Sequence, residues 1–239
     1  FVPARAALPA AGPSAPAPSG SPIVVTPESS LFDQPTDVPR SPDDRRRALE
    51  VMADEVSRCD RCPELFSTRT QTVFGVGRLT PDVCFVGEAP GADEDRTGEP
   101  FVGAAGQLLT KIIGAMGLTR DDVYICNTIK CRPPNNRNPS PAECGNCRGY
   151  FERQLELVQP KVIVCLGAVA AQNVLGTRMG VNKLRGSFHQ YKATPVMCTF
   201  HPSYLLRLQG PDQQAAKAAC WDDMKQVLRK VGRPVPGGK

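Results

Sequence analysis

The residues of this sequence that could do chemistry stand at or just beyond the ends of its apolar runs. Glu88, Asn127 and His201 each occupy such a position, and Tyr204 follows His201 by three residues. A carboxylate, an amide and an imidazole can donate or accept hydrogen bonds, and two of them can transfer protons. If the fold brings these three side chains together, they can form a catalytic pocket, and the sequence predicts one.

Four cysteines have the spacing of a metal site. Cys59 and Cys62 form a C-x-x-C pair. Cys131 follows in a Lys-Cys-Arg-Pro-Pro run, and Cys147 lies sixteen positions further on. Four thiolates suit a [4Fe–4S] cluster and also suit tetrahedral zinc, so the residue types leave both open. Cys144 stands three positions before Cys147, on the same face of a helix, and is a neighbour that could compete with it.

Alternating strands and helices must position these groups. Four short apolar runs are separated by helical patterns and predict strands: Val83–Val86, Val123–Cys126, Val162–Leu166 and Val196–Phe200. Such alternation is typical of parallel strands joined by right-handed crossovers, and it predicts a three-layer α/β/α sandwich around a four-stranded parallel sheet. Ligands bind at the carboxyl ends of the strands in such sheets, where the polar residues lie.

Capping residues indicate where the helices begin. Ser41 before Pro42 predicts the start of a first helix, which leads to the C-x-x-C pair. The run Ser140-Pro141-Ala142-Glu143 is a capping box that opens a helix to about Leu157. Further helical patterns span 108–116, 168–175 and about 212–231. The ordered domain is therefore predicted to cover residues 41–232.

Composition limits the class of protein. The chain has 239 residues, a net charge of +5 and ten cysteines. The mild positive charge suits a nucleic-acid enzyme without proving one. No secretory signal or membrane span is recognisable, so the cysteines are expected to be reduced thiols in an intracellular protein. The proline- and alanine-rich residues 1–40 are predicted to be a disordered tail, a solvated leader rather than a partner-docking arm, and residues 233–239 a flexible terminus.

Not every cysteine or histidine receives a role. Cysteines within the apolar runs are expected to be small buried hydrophobic residues: Cys84, Cys126, Cys165 and Cys198. Cys220 lies in the last predicted helix and has no assigned function. His189, between Gly186 and Tyr191, is predicted to lie in a surface turn.

The segments after the strands carry a family resemblance. They are Glu-Ala-Pro-Gly from Glu88, Thr-Gly-x-Pro-Phe-Val-Gly from Thr97, Asn-x-x-Lys-Cys-Arg-Pro-Pro-x-Asn-Arg from Asn127 and His-Pro-Ser-Tyr-Leu-Leu-Arg from His201. These motifs resemble the iron–sulfur (family 4) uracil-DNA glycosylases over about residues 45–230. The resemblance implies a uracil-DNA glycosylase fold and a monomeric base excision repair enzyme of the cytoplasm, associated with the nucleoid. Its partner would be uracil-containing DNA, double- or single-stranded.

The resemblance also implies the metal ligands. It favours a [4Fe–4S] cluster over zinc, and the spacing within the family assigns these ligands: Cys59, Cys62, Cys131 and Cys147. Cys144 is then only a neighbour. Hydrolysis moves no electrons, so the cluster is expected to pin the first helix to the loop that carries Arg132 and Asn136.

Substrate roles follow from the matched positions. Phe101 would stack on a flipped uracil, unless it is an ordinary core residue. Asn127 would pair with uracil O4 and N3–H, unless its amide serves the backbone, and His201 would bind O2. Glu88 is favoured to orient water and stabilise the sugar, and Glu94 to shape the wall that rejects the thymine methyl group; the reverse is also open. Ala89 and Pro90 complete the substrate set, Ala89 standing where some relatives have glycine.

Contacts to DNA are implied as well. Positively charged and polar residues would meet the phosphates: Arg132, Asn136, Arg137, Lys183, Arg185 and Arg207. Leu205 and Leu206 resemble a wedge that fills the gap left by a flipped base, although leucines are more often core residues.

Three other functions compete with this interpretation. A relative that crosslinks to DNA through a histidine in the loop after the second strand is disfavoured, because residues 132–139 contain no histidine. A zinc-stapled DNA-binding module would not need Glu88, Asn127 and His201 together. A nucleotide hydrolase is disfavoured because no G-x-x-x-x-G-K-[ST] loop occurs.

Overall fold

The computed structural model describes residues 41–237, which form a six-stranded sheet between helices. The strands are β1 (Val76–Gly77), β2 (Val83–Gly87), β3 (Tyr124–Asn127), β4 (Val162–Leu166), β5 (Phe188–Tyr191) and β6 (Thr194–Thr199). Their order is β1-β3-β2-β4-β6-β5, with the four inner strands parallel and the two edge strands antiparallel. The predicted parallel sheet is confirmed as the centre of a mixed sheet.

The two edge strands were not expected. β1 is only two residues long, and β5 has the sequence Phe-His-Gln-Tyr without an apolar run. His189 was predicted to lie in a turn, and this prediction is wrong. The residue lies in β5 opposite Val196, with its Nε2 atom 2.7 Å from the carbonyl oxygen of Leu184.

Helices cover both faces of the sheet. They are α1 (Pro42–Ser57), α2 (Pro63–Thr68), α3 (Ala92–Thr97), α4 (Ala104–Ala115), α5 (Pro141–Val158), α6 (Ala168–Leu175), α7 (Val181–Leu184), α8 (Pro202–Arg207) and α9 (Gly210–Lys230). Cys84 and Val86 pack with α1, α5 and α6, whereas Val83 and Phe85 pack with α4 and α9. Successive strand residues thus point to opposite faces, as the α/β/α sandwich requires.

Two capped helices bring the cysteine segments together. The Ser41 hydroxyl accepts a hydrogen bond from the Asp44 N–H at 3.1 Å and begins α1. Ser140 and Glu143 form the predicted capping box of α5, with bonds of 2.6 and 3.2 Å. The two helices pack against each other, so that the segment after α1 and the first half of α5 lie side by side.

The ends of the chain are described only in part. The predicted tail, residues 1–40, and residues 238–239 lie outside the described residues. Within the predicted flexible terminus, Arg233 Nε donates to Asp82 Oδ2 at 2.6 Å, which ties this segment to the start of β2. Across residues 41–237, no helix is both long enough and apolar enough to span a bilayer.

Candidate active site

A cleft of about 630 Å³ opens at the carboxyl ends of the parallel strands. Glu88 after β2, Asn127 at the end of β3 and His201 after β6 all line it, as the strand order predicts. The cleft contains further residues singled out from the sequence: Ala89, Pro90, Glu94, Phe101, Asn136, Arg137 and Arg207. Its volume is in the range of sites that hold a small ligand.

Asn127 has an unpaired amide oxygen at the bottom of this cleft. The residue is 1% exposed, and its Oδ1 atom has no hydrogen-bond partner within residues 41–237. A buried acceptor without a partner is destabilising, so this atom is available for an N–H group of a ligand. Gly87 makes room for the amide, because a Cβ atom there would lie 2.3 Å from Oδ1.

Phe101 belongs both to the core and to the cleft. It is 6% exposed, packs in the cluster beneath α4, and places its ring centroid 5.7 Å from that of His201. Its backbone φ of 56° is in the left-handed region, which is unusual for a bulky residue. The Phe101 carbonyl group lies close to Gly106 of α4. A side chain at position 106 would prevent this contact, since a Cβ atom there would lie 1.9 Å from the Phe101 carbonyl carbon.

Hydrogen bonding determines which nitrogen of His201 carries a proton. Its Nδ1 atom accepts from the Ser203 backbone N–H at 3.1 Å, and the Ser203 hydroxyl lies 2.8 Å away. Burial, assisted by the charge of Arg207 and opposed by Glu94, lowers the pKa of His201 to about 4. At pH 7 the imidazole is therefore neutral with its hydrogen on Nε2, and Nε2 can donate to a ligand.

The two carboxylates of the cleft differ in how they are bonded. Glu94 Oε1 accepts the N–H groups of Val102 and Gly103 at 2.9 and 3.0 Å, and Oε2 accepts that of Gly91 at 3.0 Å. Both oxygens thus accept hydrogen bonds from the backbone, and Glu94 fixes the Val102–Gly103 segment at the wall of the cleft. Glu88 is half-buried, and its burial raises the pKa of its carboxyl group. Of the two, Glu88 is the carboxylate available to activate a water.

Several predicted DNA contacts lie at the mouth of the cleft. Arg207 is exposed there, and Arg132 Nε donates to Asn136 Oδ1 at 2.8 Å. Arg137 forms ion pairs with Glu143 and Glu64 at 2.6 and 2.7 Å, so its charge is already compensated. Leu206, at 45% exposure, is free to contact a ligand outside the cleft.

Two other residues predicted to contact DNA, Arg185 and Leu205, have contacts within the protein. Arg185 donates to Asp223 at 3.0 Å and stacks on Phe200 with its guanidinium carbon 5.0 Å from the ring centroid, so it braces the strand end before His201. Leu205 is 1% exposed and packs against α9, so it belongs to the core and not to a wedge. α8 therefore buries one of its two leucines and exposes the other.

The four predicted metal ligands line one small cavity: Cys59, Cys62, Cys131 and Cys147. Cys144 lines a different cavity, which separates it from this set. Donors already face the sulfurs, with Arg69 Nη1 3.0 Å from Cys131 Sγ. Burial raises the pKa of Cys147 to about 11, a rise that the Lys130 charge and backbone N–H oppose. Within the described part of the chain, no group of three or more His, Cys, Asp or Glu side chains is arranged to hold a metal ion.

Lys130 connects the two cavities, and the sequence analysis did not assign it a function. It is fully buried, and its Nζ atom donates to the Asn127 carbonyl oxygen at 2.8 Å and to Gln154 Oε1 at 2.5 Å. The next residue is Cys131. Its position in the Lys-Cys-Arg-Pro-Pro run could have indicated a function for Lys130. Its burial was not predicted, because a lysine in a loop is normally exposed.

The fold and the cleft define an α/β enzyme with a small-ligand site at the carboxyl edge of its sheet. The family model of the uracil DNA glycosylase superfamily matches residues 74–225. A type-4 uracil-DNA glycosylase of Thermotoga maritima is 42% identical over 190 residues, which cover 79% of this chain and 98% of the relative. A type-4 enzyme of Archaeoglobus fulgidus is 44% identical over 167 residues, 66% of this chain and 83% of the relative. A type-5 enzyme of Pyrobaculum aerophilum is 33% identical over 180 residues, 62% of this chain and 79% of the relative. The chain belongs to the uracil DNA glycosylase superfamily.

Proposed function

We propose that this protein is a monofunctional uracil-DNA glycosylase. It hydrolyses the N-glycosidic bond of a deoxyuridine flipped out of DNA, releases uracil and leaves an abasic site, the first step of base excision repair. The observation that carries the proposal is the buried Oδ1 of Asn127, which has no partner among residues 41–237 and lies in the same cleft as the Nε2 donor of His201. The relatives of the chain support it.

Recognition depends on the donor and acceptor pattern of the base. Asn127 Oδ1 accepts the uracil N3–H, and its Nδ2 donates to O4. Cytosine presents an acceptor at N3 and a donor at N4, so the same amide would face two mismatched groups. Flipping costs a few kcal/mol, and stacking of the base on Phe101 returns roughly 1–3 kcal/mol.

The bond breaks with positive charge on the sugar and negative charge on the base. The Glu88 carboxylate stabilises the sugar and orients the attacking water, as carboxylates do in glycoside hydrolysis. Nε2–H of His201 donates to uracil O2, where the negative charge of the leaving base collects. A neutral imidazole can do this without transferring a proton, so the base leaves as an anion.

The cysteine cavity is proposed to hold a [4Fe–4S] cluster. Four thiol groups line it, and Arg69, Asn146 and the Lys130 backbone supply N–H donors to three of the sulfurs. Such donors are typical around the sulfurs of iron–sulfur sites. The cluster would supply structural crosslinking between the segment after α1, the loop after β3 and α5, and no step of the hydrolysis passes through it.

Uracil-containing DNA, double- or single-stranded, is the proposed partner, and a monomer in the cytoplasm, associated with the nucleoid, is the proposed state. The exposed Arg207 and Leu206 at the mouth of the cleft suit a DNA backbone and an opened base stack. The free thiols support a reducing compartment, because all ten cysteines are unpaired.

A cleavage assay with the two histidines as a matched pair tests the activity. Anaerobically purified protein is incubated with a labelled oligonucleotide containing one deoxyuridine, and alkali then cuts any abasic site. We expect cutting at the uracil position, with the single-turnover rate of His201→Ala reduced roughly 10²- to 10³-fold by loss of one donor to the leaving group. His189→Ala, which changes the other histidine, is expected to keep the rate of the original protein.

Two outcomes would contradict the proposal. If the protein bound the oligonucleotide but left uracil in place, a DNA-binding module without catalysis would replace the glycosylase. If cytosine were released as fast as uracil, the pairing scheme at Asn127 would be wrong. Iron analysis of the same sample tests the cluster separately, since zinc in active protein would reject only the iron–sulfur assignment.

A further inference from the structure

Phe101 has a backbone conformation that needs support from its surroundings. Its φ of 56° is left-handed, and the residue is neither glycine nor asparagine. The backbone at Phe101 has little room to move, because its carbonyl group is packed against Gly106 of α4. A strained residue whose ring lines the cleft must therefore be held by contacts on both sides.

Two charged side chains provide these contacts. On one side Glu94 accepts the N–H groups of Val102 and Gly103. On the other side Arg120 donates to the carbonyl oxygen of Pro100 at 2.7 Å and to that of Phe101 at 3.1 Å. The N–H groups after Phe101 and the carbonyl groups at and before it are therefore fixed by opposite charges.

Arg120 lies nineteen positions after Phe101, in the short 3₁₀ turn Arg120–Asp122 before β3. Its side chain is 21% exposed and is oriented by Glu99 Oε1 at 3.2 Å and Thr110 Oγ1 at 3.4 Å. It does not line the cleft. Its guanidinium group binds two carbonyl oxygens at once, a geometry that lysine cannot reproduce.

We propose that Arg120 is a positioning residue for the glycosylase reaction, which holds the strained Phe101 peptide so that the ring can stack on the flipped base. This inference rests on the proposed function. In this role Arg120 affects binding only when a base is in the cleft. It acts neither by contacting DNA nor by stabilising the domain.

The test compares binding to two duplexes that differ only in the base. One contains 2′-fluoro-2′-deoxyuridine, whose glycosidic bond resists cleavage because fluorine disfavours positive charge on the sugar. The other contains a tetrahydrofuran abasic site, which has no base to stack. We expect Arg120→Met to weaken binding to the uracil duplex about 5- to 150-fold, the range given by the loss of one stacked base. Binding to the abasic duplex should change less than about twofold.

Three further samples make the result specific. Arg120→Lys keeps the charge with a single donor group and should show an intermediate loss, and it serves as the measurement if Arg120→Met does not fold. Arg58→Met is the matched control, because Arg58 forms an exposed ion pair with Asp54 away from the cleft. In a Phe101→Leu background, Arg120→Met should have no additional effect, since its action passes through Phe101.

The outcomes separate the inference from the proposed function. Equal weakening on both duplexes, or an undiminished Arg120→Met effect in the Phe101→Leu background, would overturn the positioning role. Unchanged binding by both Arg120 variants would overturn it as well. If the original protein itself failed to prefer the uracil duplex over one containing thymidine, the proposed function would fail and not merely this inference.

Discussion

The cleft and the cysteine cavity are both built around the loop after β3, yet their polar atoms are in opposite states. In the cleft, Asn127 Oδ1 has no partner within residues 41–237, and Nε2 of His201 is a free donor. In the cysteine cavity, the sulfurs of Cys62 and Cys131 already receive N–H groups from Asn146 and Arg69. A site for a substrate that enters and leaves keeps its groups unpaired and rigid, whereas a site for a permanent group compensates its charges in advance.

This difference predicts that a substitution in the cysteine cavity mainly lowers the free energy of unfolding. If the proposed cluster is bound, Cys147→Ser should remove most of its iron and lower the free energy of unfolding by about 4 kcal/mol, because a structural metal site is among the largest single contributions. Iron analysis and urea denaturation measure the two quantities. Cys144→Ser is the control, since Cys144 lines another cavity. If Cys144→Ser lost iron and Cys147→Ser kept it, the ligand assignment would be wrong.

Damage to the cleft should change the rate and its pH dependence while the fold stays intact. Burial raises the Glu88 pKa, so the carboxylate is lost as the pH falls through that raised value, and the rate of the original protein should fall with it. Glu88→Gln should be slower by roughly 10²-fold at neutral pH, since its amide cannot act as a base. Its rate should also lack this acidic limb, down to the pKa of about 4 at which His201 gains a proton.

Single-turnover rates from pH 4 to 8, with thermal unfolding at each pH, check this prediction. Glu88→Gln should unfold at nearly the same temperature as the original protein. If the rate of Glu88→Gln still fell at acidic pH, a group other than Glu88 would be responsible for the pH dependence. A matched loss of stability would mean that the Glu88 carboxylate is structural.

The smallest effect on the reaction is expected at Leu206 of α8, which is exposed, whereas its neighbour Leu205 is buried. Leu205→Ala should cost about 2–5 kcal/mol of stability, because it leaves a cavity in the core. Leu206→Ala should change stability by less than about 0.5 kcal/mol. It should slow uracil release several-fold from duplex DNA and hardly at all from single strands, which have no stack to fill. Equal slowing on both substrates would reject the wedge assignment for Leu206.

The framework of this domain could be predicted from the sequence because its signals are local. Four apolar runs, the Ser41 cap and the Ser140 capping box each depend on neighbouring residues, and the inner strands and helices follow from them. The position of Glu88, Asn127 and His201 on one edge follows from the rule that parallel strands end together. β1 and β5 were missed, since edge strands need no apolar run.

The contacts of the site could not be predicted, because they join distant parts of the chain. Arg185 is paired with Asp223, thirty-eight positions away, and nothing near Arg185 in sequence indicates this. Glu94 was expected to shape the cleft wall, but its hydrogen bonds to the N–H groups of Val102 and Gly103, eight and nine positions away, could not be predicted. The side chain of Lys130 is buried in a loop where exposure is the rule. Residue type shows what a group can do, whereas only the fold shows whether its atoms are already engaged.

The strand order has a consequence for the synthesis and breakdown of the protein. β2 lies between β3 and β4, and the groups that meet in the cleft extend along the chain from Glu88 to His201. Any stretch of the chain that ends before His201 lacks one of these groups, because each strand end contributes a different one. A copy of the chain that stops before His201 is therefore expected to have no glycosylase activity.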